Sequence, residues 1–96
     1  MRADAIHARA EGVVSRRIAG ETILVPARRR AREMALFTLN EVGSFVWERL
    51  DGETTERQLI EHLTVHFEVD VACAGEDLAD FLRNLTDGEL IREVSQ

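Results

Sequence analysis

The chain has 96 residues, with 18 acidic and 12 basic side chains and a formal net charge of −6; every basic residue is Arg. That length supports one domain with a modest core and excludes a dinucleotide-binding enzyme, a barrel or a two-domain transferase. An apolar fraction of 45% excludes a disordered chain, no apolar run approaches the ~18 residues of a membrane helix, and the single Cys73 excludes an internal disulfide.

Residues 1–11 are polar and Ala-rich, with no long apolar face and no signal-peptide core. They read as a flexible N-terminal tail, residues 12–96 as the folded domain, and the whole as cytoplasmic. Val13–Ile18 is short and β-branched, Ala19-Gly20-Glu21 has turn chemistry, and Thr22–Val25 is a second strand ended by Pro26, so this stretch predicts a hairpin. Ala27–Glu33 is a basic loop holding Arg28, Arg29, Arg30 and Arg32. Met34-Ala35-Leu36-Phe37-Thr38-Leu39 predicts a third strand with apolar groups on both faces. From its residues alone it is either a core strand or an edge with a free side.

Three helices follow. Asn40 is a good N-cap with Glu41 in the first turn, Val42, Phe45, Val46 and Leu50 form the stripe, and Asp51-Gly52 stops it. Trp47 lies beside that stripe and is expected at the edge of the core. Thr55 and Gln58 have capping-box spacing ahead of Leu59, Ile60, Leu63 and Phe67. Asp70 caps a third helix whose face is Leu78, Phe81, Leu82 and Leu85, although Gly75 argues for a start nearer Glu76. Gly88 reads as a C-terminal cap and Leu90–Val94 as a short extended end. The fold class is α+β: a winged-helix-like domain, with a three-stranded antiparallel sheet followed by three helices.

Chemistry is sparse. His62 and His66 are spaced i, i+4, but Leu63 stands where a zincin carries its general base, so a polar helix face outweighs a metal site. Cys73 lacks a basic neighbour or a CxxC partner and is expected to be a buried or half-buried hydrophobe. No serine elbow or phosphate loop is present. No catalytic residue, metal site or cofactor is predicted.

Charge placement bears on partners. The first 33 residues carry eight Arg against four acids, and the remainder four Arg against fourteen. The third helix offers Glu76, Asp77, Asp80 and Asp87 against Arg83, which opposes docking onto phosphates. Nucleic acid and membrane are therefore not expected partners.

One set of residues is more specific. Phe37-Thr38-Leu39-Asn40-Glu41-Val42-Gly43, Trp47 and Leu50-Asp51-Gly52 are followed by Val69-Asp70, Asp77, Phe81-Leu82, Leu85 and Gly88-Glu89-Leu90-Ile91. Over about residues 12–94 this resembles the PqqD-like family, named for coenzyme PQQ synthesis protein D and including recognition proteins of lasso-peptide pathways. The resemblance implies a non-catalytic domain that binds the leader segment of a ribosomally made precursor peptide. Such a domain presents the leader to a modifying enzyme, often a radical SAM protein. It further implies that the leader adds as a strand beside the third strand and against the third helix. Here that groove is Met34, Ala35, Leu36, Phe37, Thr38 and Leu39 facing Asp77, Asp80, Phe81, Asn84 and Leu85. Members serving PQQ synthesis carry an early-strand Trp and a proline-glutamate-glycine segment, whereas this chain has Ala27–Glu33 there and only Trp47. That difference points to another modified-peptide pathway. The alternative reading is a small winged-helix regulator that binds DNA or a protein partner.

Overall fold

A computed structural model describes residues 4–26 and 37–94. The basic loop Ala27–Glu33 and the first half of the predicted third strand, Met34, Ala35 and Leu36, lie outside the described residues.

The expected hairpin forms. Strands β2 (Val13–Ile18) and β3 (Glu21–Pro26) pair antiparallel from Val13↔Pro26 to Ile18↔Glu21. Ala19 (φ 52°) and Gly20 (φ 85°) make the two-residue connection, and two positive φ values match the right-handed twist of the flanking strands. Strand β4 (Phe37–Leu39) joins the other side of β3 through Leu24↔Phe37, Ile23↔Thr38 and Thr22↔Leu39, giving the order β2-β3-β4. Alternation puts Thr22, Leu24, Phe37 and Leu39 on the face toward the core and exposed Thr38 on the other.

A second sheet was not visible in the sequence. Strand β1 (Ile6–Arg9) lies between β5 (Asp51–Thr55) and β6 (Ile91–Val94), antiparallel to both. Part of the segment read as a flexible tail is therefore a central strand. The physical reason is that its partners are remote in sequence, and four residues with Ala and His carry no periodic signal. Likewise Asp51-Gly52-Glu53-Thr54-Thr55 has the sequence of a helix stop leading into a cap; Asp51 Oδ1 accepts from Glu53 N and Thr54 N, both at 2.9 Å, and the segment pairs with β1.

The helices start where their caps predict. In α1 (Glu41–Glu48), Asn40 Oδ1 accepts from Gly43 N at 2.8 Å. In α2 (Glu56–Phe67), Thr55 and Gln58 form a reciprocal capping box. In α3 (Val71–Asp87), Asp70 accepts from Cys73 N at 2.9 Å, so the helix starts ahead of Gly75 rather than at Glu76. Gly88 follows α3 with φ −83°, and the left-handed residue is Glu89.

The core draws on both sheets and all helices, through Leu24, Val46, Leu50, Leu59, Leu78 and Leu90 among others. Trp47 is 3% exposed, inside the core and not at its edge, because α1 is covered by more than its predicted stripe; Val42, a predicted stripe residue, is 40% exposed. Thr22 Oγ1 donates to Ser44 Oγ at 2.7 Å, satisfying two buried hydroxyls where β3 meets α1. His7, on β1, hydrogen-bonds Glu56 Oε2 through Nε2 at 2.8 Å, with both side chains about nine-tenths buried.

These contacts make β1 necessary. Removing residues 1–10 is expected to abolish cooperative thermal unfolding, where a true tail would leave Tm unchanged. His7→Ala leaves the Glu56 carboxylate buried without its donor, an expected loss of about 3 kcal/mol. Calorimetry should show this as a fall in Tm of more than about 10 °C.

Candidate functional site

A sheet edge with unpaired backbone groups is a template for another strand, and proteins protect edges with charge. Four strands form sheet edges among the described residues: β2, β4, β5 and β6. Strand β2 carries Arg16 and Arg17, β5 carries Asp51 and Glu53, and β6 carries Arg92 and Glu93. Strand β4, Phe37-Thr38-Leu39, carries no charge.

Helix α3 runs beside this edge. Glycines at two points report the approach. A Cβ on Gly43 would meet Phe81 Cε1 at 3.1 Å and Leu39 Cβ at 3.2 Å, so the end of β4, the start of α1 and the middle of α3 converge there. A Cβ on Gly88 would meet Phe37 Cζ at 3.0 Å, which ties the start of β4 to the end of α3. Gly88 is the C-cap of α3, as expected, and at φ −83° its lack of a side chain serves the close approach of Phe37.

The structure brings together much of the expected groove. Phe37 and Phe81 are half-buried, Leu39 and Leu85 form its buried floor, and Asp77, Asp80 and Asn84 are exposed on α3. Thr38 is exposed on the outer sheet face. Met34, Ala35 and Leu36 fall outside the described residues. Asp80 accepts from Arg83 at 3.4 Å, whereas Asp77 makes no hydrogen bond or ion pair among the described residues.

A cleft of about 280 Å³ continues from the groove between α1, α2 and α3, with Asn40, Val42, Gly43, Asp77 and Phe81 at its sides and Val46, Leu63 and Leu78 beneath. In the sequence, Asn40 and Gly43 read as parts of a helix start only. The glycine at the third helical position, unneeded for capping, was the available signal of a close approach.

The remaining reactive side chains are otherwise employed. The His66 ring stacks on Phe45 at 4.5 Å with an interplanar angle of 27°, and Arg49 lies 3.5 Å from the centre of the Phe45 ring. No group of three or more His, Cys, Asp or Glu is placed to hold a metal among the described residues. Cys73 is exposed, contrary to the expectation of a buried hydrophobe, because it sits on the first turn of α3 away from the core face. Its hydrogen bond to Asp70, with the charges of Asp70, Asp77 and Glu76, pushes the thiol pKa up and disfavours the nucleophilic thiolate. Among the described residues no helix is long and apolar enough to cross a membrane.

The fold is thus α+β and winged-helix-like, two three-stranded antiparallel sheets with three helices, and one uncharged edge strand stands beside an acidic helix. Residues 21–91 match the family model for coenzyme PQQ synthesis protein D (PqqD), and the chain belongs to this family. No curated protein matches it. Among solved structures, TbiB1 in complex with the TbiA(beta) leader peptide is 27% identical, with a TM-score of 0.78 over 93% of this chain and 99% of that one.

The Phe37–Gly88 approach can be tested directly. Gly88→Ala forces Phe37 aside and is expected to cost about 1–2 kcal/mol. Phe37→Leu combined with Gly88→Ala should cost clearly less than the sum of the single changes in denaturant unfolding, since the two positions share one contact.

Proposed function

We propose that this protein is a non-catalytic recognition domain for the leader segment of a ribosomally synthesised precursor peptide. The leader adds as a strand to the free edge of β4, lies against α3, and is thereby presented to a modifying enzyme such as a radical SAM protein. The observation that carries this reading is the one uncharged sheet edge among the described residues, set beside the groove wall of α3. The likeness to TbiB1, whose structure holds a leader peptide, supports it.

Strand addition supplies affinity through backbone hydrogen bonds and specificity through pockets for alternate side chains. Exposed Asp77 and Asp80 give the wall a negative potential that favours a basic leader. The same acids weigh against the alternative of a DNA-binding regulator, because a recognition helix has to approach phosphates. The missing early-strand Trp and proline-glutamate-glycine segment favour a modified-peptide pathway other than PQQ synthesis.

Synthetic peptides copied from short reading frames beside the gene, and a labelled DNA duplex, would be titrated at two salt concentrations. Peptide binding should slow amide hydrogen exchange at residues 37–39 by tenfold or more. Unchanged exchange at saturation excludes strand addition at β4, and tight, steeply salt-dependent duplex binding favours the regulator. Asp77→Arg with Asp80→Arg should weaken a basic leader roughly tenfold while leaving the thermal melt nearly unchanged.

A further inference from the structure

The cleft between α1, α2 and α3 is not required for strand addition, yet it opens where β4 ends. We propose that it anchors a single arginine or lysine side chain of the bound peptide, at the position that passes Leu39; this rests on the leader-binding reading above.

Size comes first. About 280 Å³ lies below the ~300–1,000 Å³ of sites that enclose a whole small molecule, and it suits one long side chain. Position comes next. A Cβ on Gly43 would meet both Leu39 and Phe81, so a strand running along β4 arrives at the mouth of the cleft as it leaves the sheet. The surfaces then select the occupant. Val46, Leu63 and Leu78 beneath are each under 5% exposed, and Phe81 forms a side. They suit a run of methylenes. Asp77 at the rim is exposed and has no partner among the described residues, whereas neighbouring Asp80 has Arg83. A methylene stem on the floor with a cationic head at Asp77 satisfies both surfaces. A leucine would fill the floor and leave the carboxylate unused, and a glutamate would meet Asp77 with like charge.

One feature opposes a cation: the start of α1 also borders the cleft and carries about +0.5 of an elementary charge. Asn40 already accepts from the Gly43 and Ser44 amides, and Glu41 sits in the first turn. The full charge on Asp77 outweighs what remains.

The test is selection from a display library of short random peptides, on the wild-type domain and on Val42→Trp and Asp77→Arg. Val42 is partly exposed at the cleft mouth, so Val42→Trp plugs it from outside, and Asp77→Arg lies wholly at the surface; thermal melts confirm that both fold. The wild type should enrich peptides with Arg or Lys at one fixed position, and Ala there should cost roughly tenfold in affinity. In both variants the preference at that position should be lost. Enrichment of Leu or Met at the position, no enriched position, or a preference unchanged in both variants overturns the anchor while leaving strand addition standing. Failure of the wild type to retain any peptide overturns the leader-binding reading along with it.

Discussion

Gly43 has no side chain, and the space this leaves lets three elements meet. The end of β4, the capped start of α1 and the ring of Phe81 on α3 all lie within van der Waals reach of that one backbone. Interiors are close-packed, so an added methyl would push the Phe81 ring and Leu39 away by a few tenths of an ångström. The site depends on this junction twice. It fixes the separation of β4 and α3, which bounds the groove, and it holds α1 against α3, which shapes the cleft beside Asp77. Phe37 against Gly88 does the same at the far end, so the groove is pinned at two points with the open edge between them.

The edge is open by exclusion elsewhere. Arginines on β2, carboxylates on β5 and the Arg92–Glu93 pair on β6 each make strand addition costly, because a neighbouring strand would bring like charges together or bury them. Against that background the uncharged Phe37-Thr38-Leu39 is informative by contrast. The net charge of −6 says little about this, since an even spread would give the same total. What matters is that acids collect on the helices while Arg collects toward the N-terminus, so the wall facing the open edge is negative.

The parts legible in the sequence are those written locally. Asn40, Thr55-x-x-Gln58 and Asp70 announce helix starts through side chains that reach only three residues, and all three caps form. The Ala19-Gly20 hairpin is equally local. The second sheet is not, because Ile6–Arg9 acquires strand identity only from segments more than forty and eighty residues away. Neither Ala8 nor Gly52 has strand propensity to betray it. His7 and Glu56 illustrate the same limit: each looks like an ordinary surface residue until tertiary pairing buries both. Of the expected groove residues, Phe37, Phe81 and Asp77 are carried by the family motif. The cleft was not, since Asn40 and Gly43 already had a sufficient explanation as a helix start.

On the strand-addition reading proposed above, backbone pairing along β4 shares the work of recognition with the side chains of α3. Phe37–Leu39 offers few outward backbone groups, and each net hydrogen bond contributes about 0.5–1.5 kcal/mol. Micromolar binding requires about 8 kcal/mol, after the cost of ordering a flexible peptide has been met. Backbone pairing at these residues alone therefore falls short. On the proposed reading, side chains that leave water against α3 and in the cleft add about 25 cal/mol per Å² of apolar surface. Backbone pairing is blind to sequence, so on that reading selectivity lies with the side-chain contacts. The proposed mode thus assigns orientation and register to the strand edge, and the choice of peptide to the helical wall.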